Sequence, residues 1–231
     1  MTPDIEHRAV VLLSGGLDSA VCLALARRDG LAAYALTVDY GQRHSLEIER
    51  ARKQAAAQGA AEHKIVRVDL RAIGGSALTS DQEVPAGRER VEPGAPAPAT
   101  YVPARNTILL SLGLAWAEVL RAEALYIGAN ALDYSGYPDC RPEYLAAFQH
   151  LARLATQAGT SEHWQVKLEA PLVNLSKADI VRLGRGLQVD FSLTSSCYNP
   201  GADSRPCGRC ESCLLRAKGF GEAGVQDPLR R

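Results

Sequence analysis

The string Val10-Val11-Leu12-Leu13-Ser14-Gly15-Gly16-Leu17-Asp18-Ser19-Ala20-Val21 carries an apolar, β-branched run through two glycines into a helical pattern. Paired glycines let the backbone approach an anion closely. The N–H groups at a helix start, with the hydroxyls of Ser14 and Ser19, can then donate to it. A bare Gly-Gly pair is equally well explained as a tight strand-to-helix turn; the flanking serines and Asp18 are what make this turn an oxyanion cradle. Its place, at the carboxyl end of a first strand, is where open α/β sheets bind ligands. No Gly-Lys-Ser/Thr follows, so the lysine-bearing phosphate loop is excluded. The glycine spacing misses Gly-x-Gly-x-x-Gly, and Leu12 stands where a nucleophile elbow needs glycine.

Short β-branched runs alternate with helical patterns along the rest of the chain. Strands are expected at Arg8–Leu13, Ala32–Val38, Lys64–Leu70, Ala124–Gly128 and Gln165–Ala170, and helices at Asp18–Arg28, Ser45–Gln58, Asn106–Leu120, Pro142–Ala158 and Ser176–Gly184. In the fourth helix Leu145, Phe148, Leu151, Leu154 and Ala158 are expected on one face. The alternation predicts an α/β fold, a mostly parallel sheet with helices on both faces. Thr79–Pro103, dense in Pro, Gly, Ala and charge, breaks the pattern. A loop of that length inside a domain is usually functional or disordered.

The chain has 231 residues, 46% of them hydrophobic, which suits one sizeable domain with a small appendage. Its 26 basic and 26 acidic side chains balance, which argues against a nucleic-acid coat protein and predicts no stable nucleic-acid binding. No stretch is apolar for long enough to span a bilayer, and the start lacks a signal-peptide layout. A cytoplasmic location without membrane attachment is expected.

Cys197, Cys207, Cys210 and Cys213 form Cys-x9-Cys-x2-Cys-x2-Cys. Four soft thiolates suit tetrahedral Zn2+, with no position left for a catalytic water, so the ion is expected to be structural, one per chain. An iron–sulfur cluster is the competing occupant. The chain divides on this reading into residues 1–194 and a metal-binding unit at 195–231. Cys22 reads as core, and Cys140 as a packed thiol in preference to a nucleophile.

Ser14-Gly15-Gly16-Leu17-Asp18-Ser19 resembles the pyrophosphate loop (PP-loop) of the ATP pyrophosphatase superfamily, whose members split ATP between its α and β phosphates. Further strings narrow the resemblance to the QueC-type 7-cyano-7-deazaguanine synthase family. They are Asp39-Tyr40-Gly41-Gln42-Arg43-His44, Val102-Pro103-Ala104-Arg105-Asn106, the whole run from Gly128 to Arg141, Pro171-Leu172 with Leu175-Ser176-Lys177-Ala178, and Ser196-Cys197-Tyr198 with the cysteine cluster. These strings span nearly the entire chain. Two departures stand out: the Thr79–Pro103 segment matches no motif, and Ser195 stands where many relatives carry tryptophan.

The resemblance implies a ligase acting on 7-carboxy-7-deazaguanine, ammonia and ATP with Mg2+, working as a homodimer. It implies an ATP site on Leu13, Ser14, Gly15, Gly16, Leu17, Asp18, Ser19, Ala20, Val21, Cys22 and Leu23. Ser14, Asp18 and Ser19 would be catalytic, with Arg105 and Lys177 neutralising phosphate charge. Asp133, Tyr134, Tyr137, Asp139 and Arg141 would line the deazaguanine pocket. His44 is assigned no role. The Thr79–Pro103 loop is expected to act as a lid against hydrolysis of an adenylate. A tRNA-modifying or thiolating enzyme of the same superfamily, with Cys140 carrying sulfur, and a zinc-ribbon nucleic-acid module are the rival readings.

Overall fold

The computed structural model describes residues 7–87, 97–132, 136–157, 160 and 164–230. Among them, five strands form one sheet in the order β3-β2-β1-β4-β5. They are β1 (Arg8–Leu12), β2 (Ala32–Asp39), β3 (Glu62–Arg67), β4 (Ala124–Tyr126) and β5 (Lys167–Glu169). Every neighbouring pair is parallel, as the alternating pattern requires. The helices are α1 (Leu17–Arg28), α2 (Leu46–Ala57), α3 (Arg105–Leu120), α4 (Pro142–Ala155), α5 (Lys177–Gly186) and α6 (Glu211–Ala223).

Successive side chains of a strand point to opposite faces, so a strand covered on both sides must be apolar throughout. In β1, Val10 and Leu12 join one buried cluster with Leu110 and Leu114 of α3 and Leu145 and Phe148 of α4. Ala9 and Val11 join the other, with Val21 and Leu25 of α1 and Ile180 and Val181 of α5. No helix among the described residues is long and apolar enough to cross a membrane.

The chain runs from β1 outward through β2 to β3, then returns to lay β4 and β5 on the other side of β1. Strand order therefore reverses between β1 and β4, and a crevice opens at the carboxyl ends of strands at such a reversal. The glycine turn after β1 sits at that point.

Three local expectations are corrected. The third strand occupies Glu62–Arg67 rather than Lys64–Leu70, because Val68 and Leu70 bond back to Asp39 and Tyr40 as the chain turns away. In α4, Leu145, Phe148 and Ala152 are buried, whereas Leu151 and Leu154 are exposed. Steps of three residues fall about 60° short of a full turn, so the expected row rolls off the core face by Leu154. Ala158 lies outside the described residues. The tail also holds an unexpected long helix, α6, which packs along α5.

At the β5 edge, Gln149 of α4 donates from Nε2 to the Val166 carbonyl (3.0 Å) and accepts at Oε1 from the Leu168 N–H (2.6 Å). One side chain thus satisfies two backbone groups that an edge strand would leave open.

Candidate active site

The turn after β1 is shaped by Gly15, at φ +85°, where a β-carbon would lie 2.1 Å from the Glu47 carbonyl oxygen of α2. Only glycine allows that approach. The Gly15 carbonyl is turned away into hydrogen bonds from the Ser195 N–H (2.9 Å) and Gln54 Nε2 (2.9 Å). Beneath the turn, Thr37 of β2 donates to the Leu13 carbonyl at 2.6 Å. Ser14 Oγ donates to Ser19 Oγ (3.1 Å), which donates to the Gly16 carbonyl (3.0 Å). These bonds hold the hairpin-like shape from within. The first-turn N–H groups of α1 have no partner inside the helix and remain as donors for an anion.

Facing the turn is a cavity of about 210 Å³. Its floor is apolar, from Leu12, Leu36, Val38 and Ile127, and its rim carries Ser14, Asp18, Ser19, Arg105 and Lys177. Arg105 and Lys177 are the first residues of α3 and α5. A cation at a helix N-terminus opposes the macrodipole. Here it is balanced by acids: Asp139 Oδ2 accepts from the Asn106 N–H of α3 (3.0 Å), and Lys177 Nζ donates to both Asp18 oxygens (2.8 Å each). The Arg105 guanidinium lies against the Tyr40 ring, 5.8 Å from its centroid.

Of the residues expected to hold ATP, Leu13, Ser14, Gly16, Leu17, Asp18 and Ser19 line the cavity. Gly15 supports the turn from behind. Ala20, Val21, Cys22 and Leu23 are fully buried on the α1 face of the sheet, in the cluster with Ile180, and do not reach the cavity. Helix α1 dives into the core within one turn, so the last four residues of the expected stretch lie there. Cys22 is a core thiol, as its apolar neighbours imply.

Of the deazaguanine set, Tyr137 lines the cavity and shares a 2.8 Å hydrogen bond with Thr100 Oγ1. Asp139 is buried and spent on the α3 N-terminus, and Arg141 is exposed, donating to the Pro138 carbonyl. Neither lines the cavity. Asp133 and Tyr134 lie outside the described residues. Cys140 does reach the cavity wall, where Asn106 Nδ2 donates to its sulfur (3.3 Å) and burial pushes its thiol up to about 11. That is a packed, protonated thiol at neutral pH.

Sequence reasoning passed over Tyr40, Gln42, Arg43, His44 and Glu47, all of which line the cavity. His44 Nε2 is enclosed without a hydrogen-bond partner. Burial raises the Glu47 carboxyl to about 7, a rise that Arg105 opposes. The Asp39-to-His44 string was the available signal. Arg216, also missed, lines the wall and is 4% exposed. It donates to both Asp227 oxygens (2.8 and 2.9 Å), to Thr194 Oγ1 (2.7 Å) and to the Phe191 carbonyl (3.2 Å), clamping the segment that carries Ser195 and Ser196.

Behind that wall the ligand sulfurs of Cys197, Cys207, Cys210 and Cys213 all lie within 4.8 Å of one another, a group able to hold a metal ion. Zinc–sulfur bonds of about 2.3 Å set tetrahedral sulfurs about 3.8 Å apart, and Cys207 and Cys213 stand 4.0 Å apart. The N–H groups of Asn199 and Cys207 donate to the Cys197 sulfur, as they would to a thiolate. No disulfide joins these cysteines. The cluster also anchors the long loop: Gly87 N–H donates to the Arg209 carbonyl, and Ala86 and Gly87 bridge to Cys210. The loop is closed at its base by the Ala77 N–H on the Ala99 carbonyl (2.8 Å), and residues 88–96 lie outside the described part.

Comparison with known proteins finds one family and a set of full-length relatives. The family model described as "Queuosine biosynthesis protein QueC" matches residues 8–224. The 7-cyano-7-deazaguanine synthase of Syntrophus aciditrophicus is 58% identical, covering 96% of this chain and 96% of that protein. The protein of that name from Anaeromyxobacter dehalogenans is 60% identical over 97% of this chain and 95% of its own length. Among solved structures, the NMN synthetase of Francisella tularensis aligns with 96% of this chain and 79% of its own at 18% identity and a TM-score of 0.49.

Proposed function

The chain belongs to the QueC family of queuosine biosynthesis proteins, and from that membership we propose that it is an ATP-dependent carbon–nitrogen ligase making 7-cyano-7-deazaguanine. The observation that carries the reading is the glycine turn with Ser14, Asp18, Ser19, Arg105 and Lys177 around one cavity.

The substrate carboxylate of 7-carboxy-7-deazaguanine attacks the α-phosphate of ATP, forming an acyl adenylate and releasing pyrophosphate. Ammonia adds to the acyl carbon, AMP leaves with one carboxyl oxygen, and a proton is shed, giving the amide. The amide oxygen attacks a second ATP, again releasing pyrophosphate. Loss of AMP with that oxygen, and of both amide protons, leaves the nitrile. Each oxygen is thus removed as part of a good leaving group.

Charge develops on pyrophosphate in both activations, and donors aimed at that charge accelerate them. The amides of the turn and the first turn of α1, with Ser14 and Ser19, are suited to this task. Lys177 and Arg105 supply positive charge on the opposite rim. Magnesium carried by ATP would reach Asp18 only in competition with Lys177. Tyr137 is placed to meet the deazaguanine, and the apolar floor keeps water from the adenylate. Asp133 and Tyr134 stay as proposed contacts of the same ring.

We assign zinc to Cys197, Cys207, Cys210 and Cys213, where the metal would brace the wall carrying Ser195 to Tyr198 and leave no position for chemistry. Residues 195–231 then form a metal unit packed on the 1–194 body. Magnesium use, free ammonia as the nitrogen source, a homodimer and a cytoplasmic setting that keeps these thiols reduced complete the proposal.

The test is to supply ATP, magnesium, ammonium and 7-carboxy-7-deazaguanine to the purified protein and weigh the product. A mass matching the nitrile, with AMP and pyrophosphate, is expected. AMP release with no nitrogen incorporated would sink the assignment.

A further inference from the structure

Lys177 is, after Arg216, the least exposed cation lining the cavity, and its reach is set from behind by another helix. Gly219 of α6 packs directly on it: a β-carbon there would lie 2.4 Å from Lys177 Cγ, 2.8 Å from its Cβ and 3.1 Å from its backbone carbonyl carbon. These atoms are the base of the side chain and the main chain, which cannot swing aside as a side-chain tip can. The Lys177 side chain is 9% exposed, and its ammonium pairs with the Asp18 carboxylate at 2.8 Å. Phe220 and Leu215 of α6 are buried, so α6 cannot slide outward without opening the core. Its first turn contains Cys213 and is capped by Cys210.

We propose that Gly219 is a positioning residue: by presenting bare backbone to Lys177, it lets α6, fixed at its start by the cysteine cluster, press the lysine ammonium onto Asp18 at the mouth of the pyrophosphate turn. The consequence for ATP rests on the function proposed above. The steric relation itself does not. A larger residue at 219 must displace either α6 or the lysine, and the ammonium at the end of the stem moves with its base.

The test is a double-mutant cycle on the full, metal-loaded chain, using Gly219→Ala, Lys177→Gly and the pair together, with ATP affinity read by calorimetry and stability by thermal melting. Lys177→Gly removes the two nearest atoms, Cβ and Cγ, and so makes room for a β-carbon at 219. Gly219→Ala is expected to weaken ATP by about tenfold in the native background and to add almost nothing once Lys177→Gly is present, as contacting residues couple. Its melting temperature loss should shrink in the same way. Equal effects of Gly219→Ala in both backgrounds, or native ATP affinity in a folded Gly219→Ala chain, would overturn the proposal. Where Gly219→Ala alone fails to fold, recovery of folding in the pair supports the contact and failure of both refutes it. Should the unaltered chain bind no ATP, the proposed function falls, while the melting cycle still decides whether Gly219 sets Lys177.

Discussion

Lys177 Nζ stands 2.8 Å from each carboxylate oxygen of Asp18, joining the first turns of α5 and α1 across the mouth of the cavity. The ion pair is partly buried, with side-chain exposures of 9% and 18%, so solvent screens it less than a surface pair. Removing the cation leaves Asp18 as an uncompensated negative charge beside the anion site. Lys177→Met is expected to lower kcat/KM for ATP by about 100-fold, the scale of losing one aimed donor. Steady-state AMP release measures this, and a loss under threefold would show that the lysine takes no part.

Gly15 is held at φ +85° with the Glu47 carbonyl in the space of a β-carbon. Gly15→Ala combines the left-handed conformation, about 1–2 kcal/mol for an L-residue, with a clash against α2 backbone. We expect AMP formation to vanish while the cysteine cluster keeps its metal. Metal analysis beside activity separates a deformed turn from an unfolded chain.

Arg216 and Asp227 are 4% and 5% exposed and meet through two hydrogen bonds. Deleting only the acid strands a buried guanidinium, so Asp227→Ala should destabilise the fold by about 3–5 kcal/mol in urea unfolding. Replacing both residues with apolar ones should recover part of that loss. A single-site loss below about 1 kcal/mol would mean the pair behaves as an exposed one.

Glu47 titrates at about 7 in the folded chain against an ordinary 4.5, raised by burial. The folded state therefore holds this proton more tightly than the unfolded state. The stability it contributes is complete below pH 4.5 and is lost as pH rises toward and past 7. Glu47→Gln cannot ionise, so its melting temperature relative to the native chain should rise between pH 5 and pH 8. A difference that stays flat over that window would contradict the raised carboxyl.

Four cysteine sulfurs within 4.8 Å predict one bound metal per chain, lost on chelation or in Cys210→Ser. Because Ala86 and Gly87 bridge to Cys210, metal loss should also speed protease cleavage between Thr79 and Pro103. Metal analysis and timed digestion check the two outcomes. Unchanged cleavage after complete metal removal would separate the loop from the cluster.

The features legible in the sequence were those whose physics is local. The glycine turn, the strands with both faces covered and the cysteine spacing each declare themselves within a short stretch of chain. Helix α6 did not, because Gly219 and Gly221 lower its propensity and its stability comes from packing on α5. Arg216 looks like any surface arginine until Phe191 with Thr194, and Asp227, are brought around it from two places in the chain. Glu47 reads as one more acid on a polar helix; only the fold places it in the cavity wall facing Arg105. Asp139 drew attention as a ligand, and only the fold shows its carboxylate also accepting from the first turn of a neighbouring helix.

The amide of Gln149 has a consequence for how copies of this chain behave in crowded solution. By occupying the Val166 carbonyl and the Leu168 N–H, it acts as a stopper on the one exposed margin of β5. An unfolded or partly folded neighbour finds no template there for cross-β growth. A single glutamine thereby takes up two of the backbone groups through which a second chain could add a strand.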